Sequence, residues 1–331
     1  MQLEEKNFTG VTGTAKGAMK KAGAFFFLLM IFELPMSLLV YKVQKLFPAD
    51  YSALVSILMT QGYLLAGAIL YMIITKTGFR EGLQVKKYRI STFFLSLVVL
   101  IAAAPMASLL NVLSQFFAKN LTSGVIFDVT QNVPVWLGIL IIGCIPGFVE
   151  ETLYRGIIFT AFRKRSVLTG IVISALCFGL MHLNFNQMLY AVYLGVIFAL
   201  IVEATGSLVS TMILHMLFNA VNTAYVYLLP MYYEWLGKYS PEYASVDIES
   251  LFNTVPTNSQ LMMTVALLVP FAIGGLVLTI LLLKAIAKLN GRTLTMASIR
   301  EKKEETKPVN VCLILGWIFC LIICIGNLFG N

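Results

Sequence analysis

The feature that most constrains this chain is a succession of long apolar runs. They fall at about residues 22–42, 52–75, 92–118, 135–160, 167–184, 187–203, 207–229, 261–284 and 309–329 of the 331-residue sequence. About 20 apolar residues are what a helix needs to cross the ~30 Å hydrocarbon core of a bilayer. None of the runs alternates with period two, which excludes a transmembrane β-barrel. Composition agrees: 59% of the residues are hydrophobic and 12% charged, against about 45–50% and 25% in soluble domains. The chain reads as an all-α polytopic membrane protein of about nine transmembrane helices. A soluble enzyme, a secreted disulfide scaffold and a disordered chain are excluded.

The formal net charge of +8 is explained by where the charges sit. Basic residues gather in every second connection: Lys6, Lys16, Lys20 and Lys21; Lys76, Arg80, Lys86, Lys87 and Arg89; Arg163, Lys164 and Arg165; and Lys284, Lys288, Arg292, Arg300, Lys302, Lys303 and Lys307. The alternate side carries only Lys42, Lys45, Lys119 and Lys238. The positive-inside rule then places the N-terminus in the cytoplasm and, with nine spans, the C-terminus outside. The partner this charge implies is a lipid bilayer and not a nucleic acid. Some twenty polar residues precede the first run, which reads as a retained helix and not a cleaved signal. Cys144, Cys177, Cys312, Cys320 and Cys324 all lie in apolar runs without a CxxC pair, and read as small buried hydrophobes.

Ionisable groups in hydrocarbon are costly, so each is a functional candidate by default. Glu33, Glu150, Glu151, Arg155, His182, Glu203 and His215 fall within the runs. Glu33 stands beside Pro35 and reads as structural or gating, and Glu203 as a helix-end residue within reach of water. The remaining five lie in the fourth, fifth and seventh runs and include both histidines of the chain. They form three patterns: Glu150-Glu151-Thr-Leu-Tyr-Arg155, Phe178-Gly-Leu-Met-His182 and His215-Met-Leu-Phe-Asn219. Glu151 and Arg155, four apart, share a helix face and can pair. Glu150 points ~100° away, free for another partner. His215 and Asn219 share a face, and Phe178 stands one turn before His182. Helical rise puts these groups deep enough to converge in a cavity expected to open towards the cytoplasmic half of the bilayer.

A carboxylate, two imidazoles and an amide make a hydrolytic set. Glu150 can hold and deprotonate a water that His182 also bonds. His215 and Asn219 can stabilise the oxyanion formed at a peptide carbonyl. Glu151 and Arg155 would neutralise and orient the pair.

The three motifs, in this order, resemble EExxxR, FxxxH and HxxxN of the CAAX prenyl endopeptidase and bacteriocin-processing (Abi) family of intramembrane proteases. Glu203-Ala-Thr-Gly-Ser207 and Arg155-Gly156 are similar to flanking features of that family, and the resemblance covers about residues 130–225. It implies a catalytic core at 130–225 between N-terminal helices (1–129) and an outer polar segment with two anchor helices (226–331). It implies water held by Glu150 and His182, an oxyanion held by His215 and Asn219, and supporting parts for Glu151, Arg155 and Phe178. The substrate implied is a membrane-associated or lipidated peptide or protein, the activity endopeptidase, and the setting a bacterial plasma membrane, with bacteriocin immunity among the family's roles. No metal cofactor is expected. Zinc held by Glu150, His182 and His215 is the alternative, although the HExxH zinc motif is absent. The rival reading is a non-catalytic immunity or binding protein, or a proton-coupled transporter. Internal repeats that would favour a transporter are not visible. The outer stretch 230–260, net acidic with Trp235 and several tyrosines, reads as an interfacial helix.

Overall fold

The computed structural model describes residues 14–87 and 89–329; Lys6 of the N-terminal basic group lies outside them. Each apolar run folds as a helix, because within hydrocarbon every backbone polar group must be satisfied inside its own segment. The helices are α1 (Ala15–Gln44), α2 (Ser52–Thr75), α3 (Ile90–Ser114), α4 (Val135–Arg163), α5 (Val167–Leu180), α6 (Phe185–Thr205), α7 (Leu208–Gly237), α8 (Asn258–Leu289) and α9 (Val311–Phe329). No strand occurs among the described residues.

Eight of these are long and apolar enough to cross a membrane. The fifth corrects the sequence expectation. At 14 residues, α5 extends only ~21 Å, short of the ~30 Å core. The apolar run 167–184 continues past Leu180, but the backbone does not. Leu183 turns left-handed at φ 53°, and the Asn184 side chain accepts from the backbone N–H groups of Asn186 and Gln187 to cap α6. Hydropathy senses apolar character and not this cap. The outer stretch also departs from expectation: α7 continues to Gly237, and two short helices follow at Pro241–Ala244 and Ile248–Asn253.

The core surrounds α4, whose residues from Val149 to Phe162 are all buried. α6 is also largely enclosed, with 61% of its most apolar window buried, whereas only 11% of that of α8 is buried, so α8 presents its surface to lipid. Two π-helical segments interrupt α4, at Ile139–Cys144 and Thr152–Phe159. Such wider turns re-aim the side chains that follow and often occur at functional sites. α1, α2, α5, α6 and α7 all pack against α4, and α9 packs against α1 and α5.

Candidate active site

Glu150 and Glu151 close the α-helical stretch Ile145–Glu151 of α4, and Arg155 lies in the π segment that follows. Adjacent residues on a helix diverge by ~100°, so the two glutamates serve different partners. Glu151 is fully buried and accepts a hydrogen bond from Arg155 Nη1 at 2.8 Å. The guanidinium lies 4.3 Å from the ring centroid of Phe178 and 5.3 Å from that of Phe198. Arg155 Nε and Nη2 have no hydrogen-bond partner among the described residues, and these aromatic faces compensate part of the desolvation. Gly195 of α6 leaves the space: a Cβ there would stand 3.4 Å from Arg155 Nη2 and 2.9 Å from Ala175 Cα.

His215 bridges the two acids. Its Nδ1 is 3.0 Å from Glu151 Oε1, and its Nε2 is 3.8 Å from Glu150 Oε2. The imidazole is held between Phe198 at 5.2 Å and the edge of Phe178 at 5.7 Å, centroid to centroid. This reach requires α4 and α7 to run close together. A Cβ on Gly147 would come within 2.7 Å of the Met216 backbone nitrogen, and one on Gly143 within 3.2 Å of Ala220. Gly143 and Gly147 form a small-xxx-small stripe that lets two backbones approach. The other oxygen of Glu150 accepts from Gln61 Nε2 of α2 at 3.1 Å.

His182 lies beyond α5, in the turn before α6. Its Nδ1 is 2.8 Å from the Phe178 carbonyl oxygen. A carbonyl only accepts, so Nδ1 carries the hydrogen and Nε2 keeps a lone pair. The ring stands edge-on to Phe178 at 5.2 Å, so Phe178 touches both imidazoles and Arg155. Glu150 and His215 are within electrostatic reach of His182. The Leu183 carbonyl beside it accepts from Asn327 Nδ2 of α9 at 2.9 Å. The turn is thus tied to the far end of α9.

Glu150, Glu151, Arg155, Phe178, His182 and His215 therefore meet. Asn219 follows His215 by one turn on α7, partly exposed, and makes no hydrogen bond to the acids or the imidazoles; its carbonyl accepts from Thr223. Glu203 departs from expectation. It stands at a helix end but is only 8% exposed, because Arg163 grips it through Nε at 2.5 Å and Nη2 at 2.7 Å, and Arg292 Nη1 bonds its carbonyl at 3.0 Å. Four residues escaped sequence reasoning. Gln61 was legible as a lone amide in an apolar run and Gly143-x-x-x-Gly147 as a packing motif, whereas Phe198 carries no signal that separates it from lipid-facing phenylalanines.

Among the described residues, no group of three or more His, Cys, Asp or Glu side chains stands as a metal-binding set. His215 Nδ1 is engaged by Glu151 and His182 Nδ1 by Phe178, which leaves only the two Nε2 atoms and Glu150 to serve as ligands. A cavity of about 510 Å³, lined by Lys119, Asn184, Phe185 and Asn327, lies behind the turn and includes none of the hydrolytic side chains.

Residues 131–221 match the family model described as type II CAAX prenyl endopeptidase, Rce1-like. No curated protein and no solved structure matches the chain.

Proposed function

We propose that this chain, whose residues 131–221 match the Rce1-like type II CAAX prenyl endopeptidase model, hydrolyses a peptide bond within the membrane by a water activated on Glu150 and His182. The observation that carries this reading is the pair of imidazoles around Glu150, one with a free Nε2 and one bridging both acids.

The water would rest between Glu150 and His182 Nε2. Its oxygen attacks the carbonyl carbon while its proton passes to Glu150, which later delivers it to the leaving amine nitrogen. With Nδ1–H given to Glu151, His215 donates from Nε2 only when doubly protonated. Two carboxylates, the guanidinium of Arg155 and that imidazolium then sum to zero, as a desolvated cluster requires. The oxyanion takes its hydrogen bonds from His215 Nε2–H and from Asn219, whose side chain makes no hydrogen bond among the described residues. Phe178 fixes the spacing of the imidazoles, and Glu151 fixes the ring of His215.

The substrate is a membrane-associated or lipidated peptide or protein, cleaved at the bacterial plasma membrane without a metal. The test is purified protein in liposomes with candidate lipidated and unlipidated peptides, the products read by mass spectrometry. Glu150→Gln abolishes turnover with folding intact, and Asn219→Ala lowers kcat about 10²–10³-fold, as loss of one oxyanion donor does. Activity survives exhaustive chelation; silencing by chelator and rescue by Zn²⁺ would overturn the metal-free mechanism.

A further inference from the structure

Gln61 of α2 lies outside the segment 131–221 that matches the family model, yet it bonds the acid at the centre of the site. The buried residues of α2 run Gln61, Leu64, Ala68, Tyr71 and Thr75, a stripe at helical spacing that faces the protein interior. A leucine or methionine would fill the place of Gln61 in that stripe without cost in desolvation. A primary amide in hydrocarbon must instead find hydrogen bonds.

One end of this amide has done so. Nε2 donates to Glu150 Oε1 at 3.1 Å, and both side chains are buried. The other end has not: Gln61 Oε1 is buried and has no hydrogen-bond partner among the described residues. It cannot serve the carboxylate, because both groups only accept. The second oxygen of Glu150, Oε2, is turned to His215 Nε2 at 3.8 Å, so Oε1 is the oxygen that the amide attends. A side chain that donates at one end and accepts at the other is matched to a carboxyl group that changes protonation, since a carboxylate only accepts and a carboxylic acid carries one O–H donor. The terminal torsion of glutamine is broad and roughly two-fold, so the two ends can exchange without movement of α2.

We propose that Gln61 is a positioning residue that holds Glu150 in both of its protonation states. Before attack, Nε2–H bonds the carboxylate at Oε1. As the water oxygen bonds to the carbonyl carbon, its proton moves to Glu150 Oε1. The amide then turns about its terminal torsion, and Gln61 Oε1 accepts from the new O–H. When the C–N bond breaks, that O–H swings to the leaving nitrogen and gives up its proton. Glu150 is again a carboxylate, and the amide turns back. Gln61 itself neither gains nor loses a proton. It keeps the carboxyl group aimed within hydrogen-bond reach of the water, which proton transfer requires, and its unpartnered oxygen acquires a donor. The role in turnover rests on the proteolytic reading; the exchange of amide ends with protonation of Glu150 does not.

Infrared spectroscopy reads the carboxyl group directly. Spectra of the purified protein in detergent are recorded across a pH titration, and the bands of Glu150 are those that Glu150→Gln removes. Gln61→Met has nearly the same length and neither a donor nor a strong acceptor. It shifts the carboxylate stretch at high pH and also the C=O stretch of the carboxylic acid at low pH, the latter to higher frequency as a hydrogen bond is lost. Gln61→Asn, whose amide is drawn back by one methylene, shifts both bands in the same sense and guards against a folding defect in the methionine variant. On a cleaved peptide Gln61→Met lowers kcat about 10²-fold, the order of loss that a misplaced catalytic group brings. KM stays unchanged, because the amide touches the base and not the substrate. If only the carboxylate band moves, Gln61 is a donor and nothing more, and the two-state role falls. Unmoved bands, or a kcat equal to the parent's in a protein that cleaves, overturn the positioning role and leave proteolysis standing. Both bands shifted in a chain that cleaves no peptide keep the amide exchange and overturn the proteolytic reading.

Discussion

At the residue scale the site is held by one buried ion pair shared among several side chains. Arg155 serves Glu151 through a single nitrogen and otherwise leans on Phe178 and Phe198. Removing one partner of such a pair strands the other charge. Arg155→Met therefore destabilises the fold by about 3–5 kcal/mol, read from thermal unfolding in detergent. Adding Glu151→Leu recovers most of that loss but restores no cleavage, since His215 Nδ1 then has no acceptor. The charged members of this constellation were legible in the sequence because hydrocarbon makes an ionisable side chain conspicuous. Their partners were harder to read. Gln61 offers only a lone uncharged amide, and Phe198 resembles every other phenylalanine until α6 is folded against α4. The buried state of Glu203 was also hidden, because it depends on Arg163 and Arg292, one of them far away in sequence.

At the scale of elements, what matters is how closely α4 approaches α7. Gly147 stands where any Cβ would press on the backbone of Met216, which cannot yield as a side-chain tip could. Gly147→Val separates the helices and lengthens the path from Glu150 to His215. A displacement near 1 Å costs about 10²-fold in rate, so kcat falls by that order while the protein still elutes as a folded monodisperse species in size-exclusion chromatography. The helices themselves were readable from hydropathy, because length and apolar character decide what can lie in a bilayer. The truncation of α5 was not, since it arises from a left-handed Leu183 and a capping Asn184 inside an unbroken apolar run. α9 likewise read as an anchor without ionisable groups, yet Trp317 Nε1 reaches Cys177 Sγ at 3.3 Å, next to Phe178. Its Asn327 satisfies the Leu183 carbonyl next to His182. Asn327→Leu removes the bond to that carbonyl and lowers kcat more than it raises KM, as steady-state kinetics on a cleaved peptide would report.

At the scale of the whole molecule, the connections divide into two knots. At one end Ala15 bonds Glu304, Ser207 and Leu208 bond the 84–86 loop, and Arg165 bonds Thr306. These are the segments rich in Lys and Arg. At the other end Thr122 bonds Gln187, Ser123 bonds Phe252 and Asn327 bonds Leu183. Single cysteines placed at Lys86 and Glu242 accordingly label from opposite faces of the membrane with an impermeant maleimide, and labelling from one face would sink this topology. The tie from α9 to the His182 turn also sets a schedule. The ribosome delivers Glu150, His182 and His215 to the membrane more than a hundred residues before Asn327, so the groups proposed to activate the water are in place while the turn still lacks its bond from Asn327. The His182 turn is thus completed only when α9, which lies outside the matched family segment, is inserted.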